Sequence, residues 1–335
     1  MTDAPPKPAV SDTRAEPNGV ATEGPLLAAI DLGSNSFNLL ICRWQGQKLT
    51  KVAHCKQIVQ LVRKADSNGN LNATAVKRAL KSLREFGTIL QQHKPHYIDI
   101  IGTEALRKAP NGSGFLVEAE ELLGSQVALI SEQKEAELGY FGVQYYQQPQ
   151  PRALLVVDIG GASTELTIGC QQNIQYWHSL KLGCVSLTNQ FFAVPGRRSR
   201  VKKVSDSYAY CCNVIDDIKD PFLQQGWQIT LGASGIMRVI ADLLPGKPDS
   251  IDRSDLATLL HAIENDRELQ DSIPANLRRD VLPAGIVLLS AIFDSLHIDR
   301  LQVSPGNVKH GLILERIRKL DGNAYSGEPL PVGAP

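Results

Sequence analysis

The 335-residue chain lacks most of what would commit it to a membrane, a metal centre or a nucleic acid. No apolar run approaches the roughly 18 residues of a membrane span. The longest uncharged stretch, Val281–Phe293, is interrupted by Pro283 and Gly285 and reads as a core helix. No apolar segment follows a basic start, so a secretory signal is excluded. Cys42, Cys55, Cys170, Cys184, Cys211 and Cys212 contain no CxxC pair, and several lie in apolar strands, which favours reduced core thiols over a disulfide framework or zinc site. The 7 histidines are scattered without an HxxxH pair, which argues against a His-based metal centre or a phospho-His relay. Neither charge sign dominates, with 35 basic and 35 acidic residues, so a general nucleic-acid or membrane coat is excluded and any polyanion must be met locally. The expectation is a soluble, cytoplasmic protein with no nucleic-acid partner, long enough for two substantial cores.

Composition divides the chain. Met1 to about Pro25 is rich in Pro, Ala, Ser and Asp without apolar periodicity and reads as a disordered leader. Leu26 to Gln147 forms one predicted domain, the Gln147-Gln-Pro-Gln-Pro151 break marks a crossing, Arg152 to Leu320 forms a second, and Asp321 to Pro335 is a flexible tail. Strands are expected at Leu26–Ile30, Leu39–Cys42, Leu49–Leu61, Tyr97–Ile101 and Val127–Ile130, with a helix from an Asn72 cap to about Gln92 and another from a Ser131 cap. The second half repeats the plan, with strands near Leu154–Val157, Leu166–Ile168, Ile174–Leu180, Ile229–Leu231 and Leu301–Ser304 and helices including Val281–Leu296 and Val308–Leu320.

The motif that organises the chain is Leu154-Leu-Val-Val-Asp158-Ile-Gly160-Gly161-Ala-Ser163-Thr-Glu165-Leu166, a buried-strand run ending on a carboxylate and a Gly-rich turn. Gly160 and Gly161 let backbone amides approach an anion, and Ser163 adds a hydroxyl donor. Asp158 and Glu165 would repel a bare phosphate unless a divalent cation sat between them, so the stretch suggests magnesium-phosphate chemistry. A single motif of this kind reads equally well as a hairpin whose Asp and Ser satisfy turn amides. A second copy weighs against that. Asp31-Leu-Gly33-Ser34-Asn35-Ser36-Phe-Asn-Leu39 overlays it with Asp, Gly, Ser and Leu in register. Two strand-turn-strand copies imply related domains facing across a cleft, each offering a phosphate-holding turn.

Other candidates carry competing readings. Thr103, Arg107 and Asn111 recur at four-residue spacing and fit one face of a short helix, where an Arg grips phosphate, though a solvated loop Arg fits as well. Glu135 lies in the first turn of its helix, where the dipole favours any carboxylate. Gly232-Ala-Ser234-Gly235 opens a helix whose N-terminus can present amide donors to an anion. The basic run from Arg197 to Lys203 is either a distal polyanion contact or a solvated turn.

Taken in order, these motifs, together with Ile130-Ser131, Glu135-Ala136 and Gly183-Cys-Val-Ser186, make the chain resemble the exopolyphosphatase and guanosine pentaphosphate phosphohydrolase (Ppx/GppA) family from about Leu26 to Leu320. The resemblance implies an α/β protein of two actin-like (ribonuclease H-like) ATPase-fold domains and magnesium-dependent removal of terminal phosphate from inorganic polyphosphate. The alternatives are guanosine pentaphosphate as substrate and a non-catalytic regulator that binds polyphosphate or the alarmone. The resemblance makes Glu135 the residue that activates water and Arg107 the contact to the scissile phosphate. It assigns metal to Asp158 and Glu165 with Asp31 in support, and phosphate oxygens to Gly33, Ser34, Asn35, Ser36, Thr103, Asn111, Gly160, Gly161, Ser163, Gly232, Ser234 and Gly235. Potassium stimulation and a homodimer are family-level expectations. The chain differs from the family's usual residues at Asn38, Glu132, Lys134, Glu137 and Lys309-His310, which bears on charge near the site. Distributive action on short or intermediate polyphosphate is the expectation for a chain that ends soon after its last predicted helix.

Overall fold

A computed structural model describes residues 24–46, 48–61, 69–147, 151–193, 199–244, 246, 249–265 and 280–322. The predicted leader up to residue 23, most of the predicted tail, and Arg197 and Arg198 lie outside the described residues.

Two sheets carry the fold. The first contains β1 (Leu26–Leu32), β2 (Ser36–Gln45), β3 (Lys48–Ile58), β4 (Tyr97–Gly102) and β5 (Val127–Leu129), in the order β3-β2-β1-β4-β5. The second contains β6 (Ala153–Ile159), β7 (Thr164–Cys170), β8 (Asn173–Leu180), β9 (Ile229–Gly232), β10 (Ser250–Asp252) and β11 (Arg300–Val303), in the order β10-β11-β9-β6-β7-β8. Each begins as an antiparallel three-strand meander and continues with parallel strands beside its first member, β1 with β4 and β5, β6 with β9 and β11. This duplicated order is the ribonuclease H-like plan of the actin-like ATPases, as the internal repeat implied. The central strands β1 and β6 are covered on both faces, which is why Leu26–Ile30 and Leu154–Val157 read as unbroken apolar runs. Edge strands β3 and β8 alternate exposed and half-buried residues.

Helices fill the layers. Ala73–His93 and Gly112–Leu123 cover one face of the first sheet with Phe86, Leu83 and Phe115 buried. Leu282–Ser295 is buried on nearly every side and anchors the core of the second half, as the uncharged run Val281–Phe293 requires. Three elements were not anticipated, among them the short helix Lys219–Gln225. Helix Arg200–Asp216, capped by Ser199, occupies part of what reads as a basic loop, so Arg200, Lys202 and Lys203 form a helical first turn; Lys203 Nζ donates to Phe192 O and Lys202 pairs with Asp206. Its buried positions Val204, Ser207, Cys211 and Ile215 include a polar Ser and sit among polar residues, which hid the helical period. Strand β10, of 3 residues, was too short to register.

The spatial halves differ from a cut at the Gln147–Pro151 break. Helix Glu132–Gln144 precedes that break yet packs Tyr140 and Val143 against Leu154, Val156 and Leu231 of the second sheet. Helix Val308–Leu320 closes the second half yet packs Leu312, Ile313 and Ile317 against Leu27, Ala29 and Leu40 of the first sheet. The two helices lie side by side between the sheets, so close that a Cβ on Gly142 would stand 2.0 Å from Asn307 O and one on Gly311 would stand 2.0 Å from Leu138 O. The exchange joins the halves through backbone-to-backbone contact that only glycine permits.

Candidate active site

In open parallel sheets, ligands are met at the carboxyl ends of the strands. Here those ends converge from both sheets on one cavity of about 240 Å³. After β1 come Gly33–Ser36, after β4 Thr103, after β5 Glu135, after β6 Gly160–Ser163, after β9 Ala233–Gly235 and after β11 Asn307–Lys309, and all line it.

The two Gly-containing turns are held alike. The amides of Val59 and Gln60 donate to Asn35 O (2.9 and 2.8 Å), and that of Leu61 donates to Ser34 O (2.8 Å). In the second copy the amide of Cys184 donates to Gly160 O (3.0 Å), and those of Val185 and Ser186 donate to Gly161 O (2.9 and 3.1 Å). In both, the chain leaving the third strand pins the turn carbonyls. Because a trans peptide points its N–H opposite to the preceding C=O, the amides of Asn35 and Ser36, and of Gly161 and Ala162, are turned away from those segments. The turns also touch: a Cβ on Gly161 would come within 2.9 Å of Ser34 Cβ and 3.2 Å of Asn35 N. A Cβ on Gly183 would meet Gly161 C at 2.4 Å, which explains the glycine opening the Gly183–Ser186 motif.

Beside the turns, a row of side chains crosses each meander. Asp31 stands opposite Asn38 and Asn38 opposite Lys56; in the repeat, Asp158 stands opposite Glu165 and Glu165 opposite Ser179. Like charges directly opposite on adjacent strands are destabilising, and the Asp158–Glu165 pair is such a case in a buried setting. Glu165 is 5% exposed, accepts from Ser179 Oγ (2.9 Å), and is pushed up to about 8 by burial and then by the Asp158 charge. Glu135 is raised well above the ordinary carboxylate range by burial, then by Glu165, Asp31 and Asp158, while Arg107 pulls it the other way. Its Oε2 is buried without a hydrogen-bond partner, as are Asn35 Oδ1 and Ser234 Oγ. Unsatisfied buried polar atoms are costly and uncommon, so three of them around one cavity mark groups arranged for a ligand. Ser234 caps helix Gly235–Asp242 without a side-chain bond, and the helix N-terminus opens on the same space.

Of the sequence-predicted residues, Asp31, Gly33, Ser34, Asn35, Ser36, Thr103, Glu135, Asp158, Gly160, Gly161, Ser163, Glu165, Ser234 and Gly235 line the cavity. Three candidates do not. Asn111 lies beyond the Glu104–Lys108 helix and spends its amide on the backbone of Leu71, accepting from its N–H (2.8 Å) and donating to its carbonyl (3.1 Å). Gly232 ends β9 against Leu301 and Met237. Arg107 is held beside the cavity by Ile130 O, Glu132 and Glu104. The structure adds Asn38, His54, Lys56, Asn307 and Lys309 to the lining. His54 and Lys56 are two apart on β3 and so share a face; the pairing of β3 with β2 that places them is a tertiary fact. Burial and then Lys309 push His54 and His310 down to about 4 and about 3, so both rings are neutral near pH 7.

Four carboxylates in one cavity fit a divalent cation. Among the described residues no three His, Cys, Asp or Glu side chains form a ready-made metal site. Magnesium binds through one or two carboxylates and completes its octahedron with water and substrate phosphate.

Residues 40–320 match the Ppx/GppA phosphatase family. A guanosine-5'-triphosphate,3'-diphosphate pyrophosphatase of Aeromonas salmonicida is 35% identical over 294 residues, covering 86% of this chain and 59% of that one. A proposed exopolyphosphatase of Haemophilus influenzae is 32% identical over 297 residues, covering 86% of this chain and 90% of that one. A crystal structure of an exopolyphosphatase from Cytophaga hutchinsonii superposes with a TM-score of 0.75 at 24% identity, covering 92% of this chain and 100% of that one, a likeness of fold. The chain spans about three fifths of the length of the longer curated relatives it matches. Among the described residues no helix is long and apolar enough to cross a membrane.

Proposed function

Because this chain belongs to the Ppx/GppA phosphatase family, we propose that it is a phosphohydrolase that releases terminal orthophosphate from inorganic polyphosphate. The observation that carries the reading is Glu135: a carboxylate with a buried, partnerless oxygen, its proton affinity raised by burial and then by three neighbouring acids, facing two turns with pinned carbonyls. A proton acceptor with more affinity than an ordinary carboxylate is what removal of a proton from attacking water needs. Phosphoryl transfer asks little else of a protein beyond positioning and charge neutralisation.

Each residue then has a task. The amides of Asn35, Ser36, Gly161 and Ala162, the Ser234 hydroxyl and the N-terminus of its helix hold oxygens of the terminal phosphate. Thr103 closes the side next to Glu135. Lys56 and Lys309 meet charge further along the substrate. Magnesium, held by Asp158 and Glu165 with Asp31 across the cleft, would supply positive charge to the phosphate oxygens and relieve the repulsion among the carboxylates. The Haemophilus relative covered over 90% of its length supports the polyphosphate reading. The longer relatives' names favour guanosine pentaphosphate as the second reading. Phosphate release measured with magnesium on polyphosphate, guanosine pentaphosphate and ATP side by side decides between them, and release from none of the three overturns the reading.

A further inference from the structure

Glu132 sits where it contributes to neither turn nor cavity, yet it organises the charge at the cavity's rim. The Glu104–Lys108 helix begins at the cavity with Thr103, and Arg107 lies four residues on, about one turn or 5.4 Å further along the same face. The Arg107 guanidinium is occupied: Nη1 donates to Ile130 O, while Nη2 stands 3.2 Å from Glu132 Oε1 and 3.5 Å from Glu104 Oε2. Glu104 is buried and also pairs with Lys108, so it is fixed in place. Glu132 is the more accessible partner. Its side chain is 31% exposed at the start of its helix, and Lys181, from the segment after β8 in the other sheet, approaches the same Oε1 at 3.9 Å. One carboxylate thus draws a cation from each half of the molecule. The helix cap does not depend on it, since Ser131 Oγ accepts from Lys134 N.

We propose that Glu132 is a latch on Arg107, a built-in anion that holds the guanidinium at the rim until substrate phosphate displaces it. This inference rests on the phosphoanhydride reading of the cavity. A guanidinium prefers a multiply charged phosphate to a single carboxylate held in partial contact with water. A chain of three or more phosphates extends past Thr103 and takes Arg107 and Lys181 together. Orthophosphate, confined to the turns, leaves the latch closed. Glu132 therefore sets the discrimination between chain and product, and it acts through Arg107 as a positioning residue.

Calorimetric titration with inorganic tripolyphosphate, in full-length protein carrying Glu135→Gln to stop turnover, tests this. Adding Glu132→Gln should tighten tripolyphosphate binding about 3- to 10-fold, since one competing ion pair is removed, with orthophosphate binding unchanged. Binding should also become more salt-dependent, because an ion pair now forms where one was formerly exchanged for another. Adding Arg107→Ala should erase the gain. Glu132→Asp, a milder change with a shorter reach, should fall between. In turnover, Glu132→Gln should lower KM and leave kcat within about 2-fold. Unchanged or weaker binding in folded Glu132→Gln and Glu132→Asp, or a gain that survives loss of Arg107, overturns the latch. Absence of tripolyphosphate binding in every variant overturns it too. Absence of hydrolysis beside this binding pattern overturns the functional reading and leaves the latch standing.

Discussion

Replacing Glu165 with Gln should stabilise the metal-free protein while blunting its response to magnesium. Glu165 is 5% exposed, in register opposite Asp158, and held at about 8 against an ordinary value of 4.5 by burial first and the Asp158 charge second. Between those two values the folded chain keeps a proton that the unfolded chain releases, so stability falls as pH rises through that window. Near pH 7 the gap to the unfolded value is about 2.5 pH units, and at about 1.4 kcal/mol each this costs the native state about 3 kcal/mol. Gln has the same shape, needs no proton and still accepts from Ser179 Oγ. The variant should therefore recover about 2–3 kcal/mol near pH 7, or roughly 3–4 °C in Tm for a chain of this size. The gain should fall below about 1 kcal/mol near pH 5, where the gap nearly closes. Differential scanning calorimetry with EDTA near pH 5 and pH 7, repeated with magnesium, is the assay. Magnesium should raise the wild-type Tm most at the higher pH and move the variant less. A variant that melts at or below wild type in EDTA near pH 7, or whose advantage is as large near pH 5, would refute the reasoning.

Glu135→Gln should lower kcat about a hundredfold or more with little change in KM, because a positioned base contributes about that much; steady-state kinetics giving a kcat within a few-fold of wild type removes Glu135 from the mechanism. Asp158→Asn should raise the magnesium concentration for half-maximal activity, since it deletes charge that the cation compensates, and an unchanged half-saturation point places the metal elsewhere. Gly161→Ala introduces a Cβ 2.9 Å from Ser34 Cβ and should push the facing turns apart. A loss of kcat of about tenfold or more is expected from a displacement of a few tenths of an ångström to 1 Å, with circular dichroism unchanged; full activity would show that contact between the turns does not set the geometry.

How far the site was legible depended on whether its residues are local in sequence. Asp31, Gly33–Ser36, Asp158, Gly160–Ser163 and Glu165 sit on strand-turn-strand units of about nine residues, and a repeat of that unit is visible without any fold. Arg107 and Asn111 share spacing with Thr103, but a helix ending at Lys108 puts Asn111 on Leu71, and the acids around Arg107 hold it at the rim. Helix Arg200–Asp216 escaped because its buried positions include Ser207 and Cys211, which carry little apolar signal. Lys56 and His54 gave only the alternation of an edge strand.

The sequence alone determined the duplicated strand-turn-strand unit, its two Gly-containing turns and the carboxylates attached to them, because each is encoded within a few consecutive residues by strand period, glycine and charge. Tertiary structure decided what those parts face. It exchanged helices Glu132–Gln144 and Val308–Leu320 between the sheets, and so carried Glu135 and Lys309 to the same cavity from far apart in the chain. It also buried Glu165 beside Asp158 and set Arg107 against Glu132 at 3.2 Å. Proton affinity and ion pairing depend on burial and on neighbours within a few ångströms, and those neighbours come from segments whose meeting only the packed core specifies.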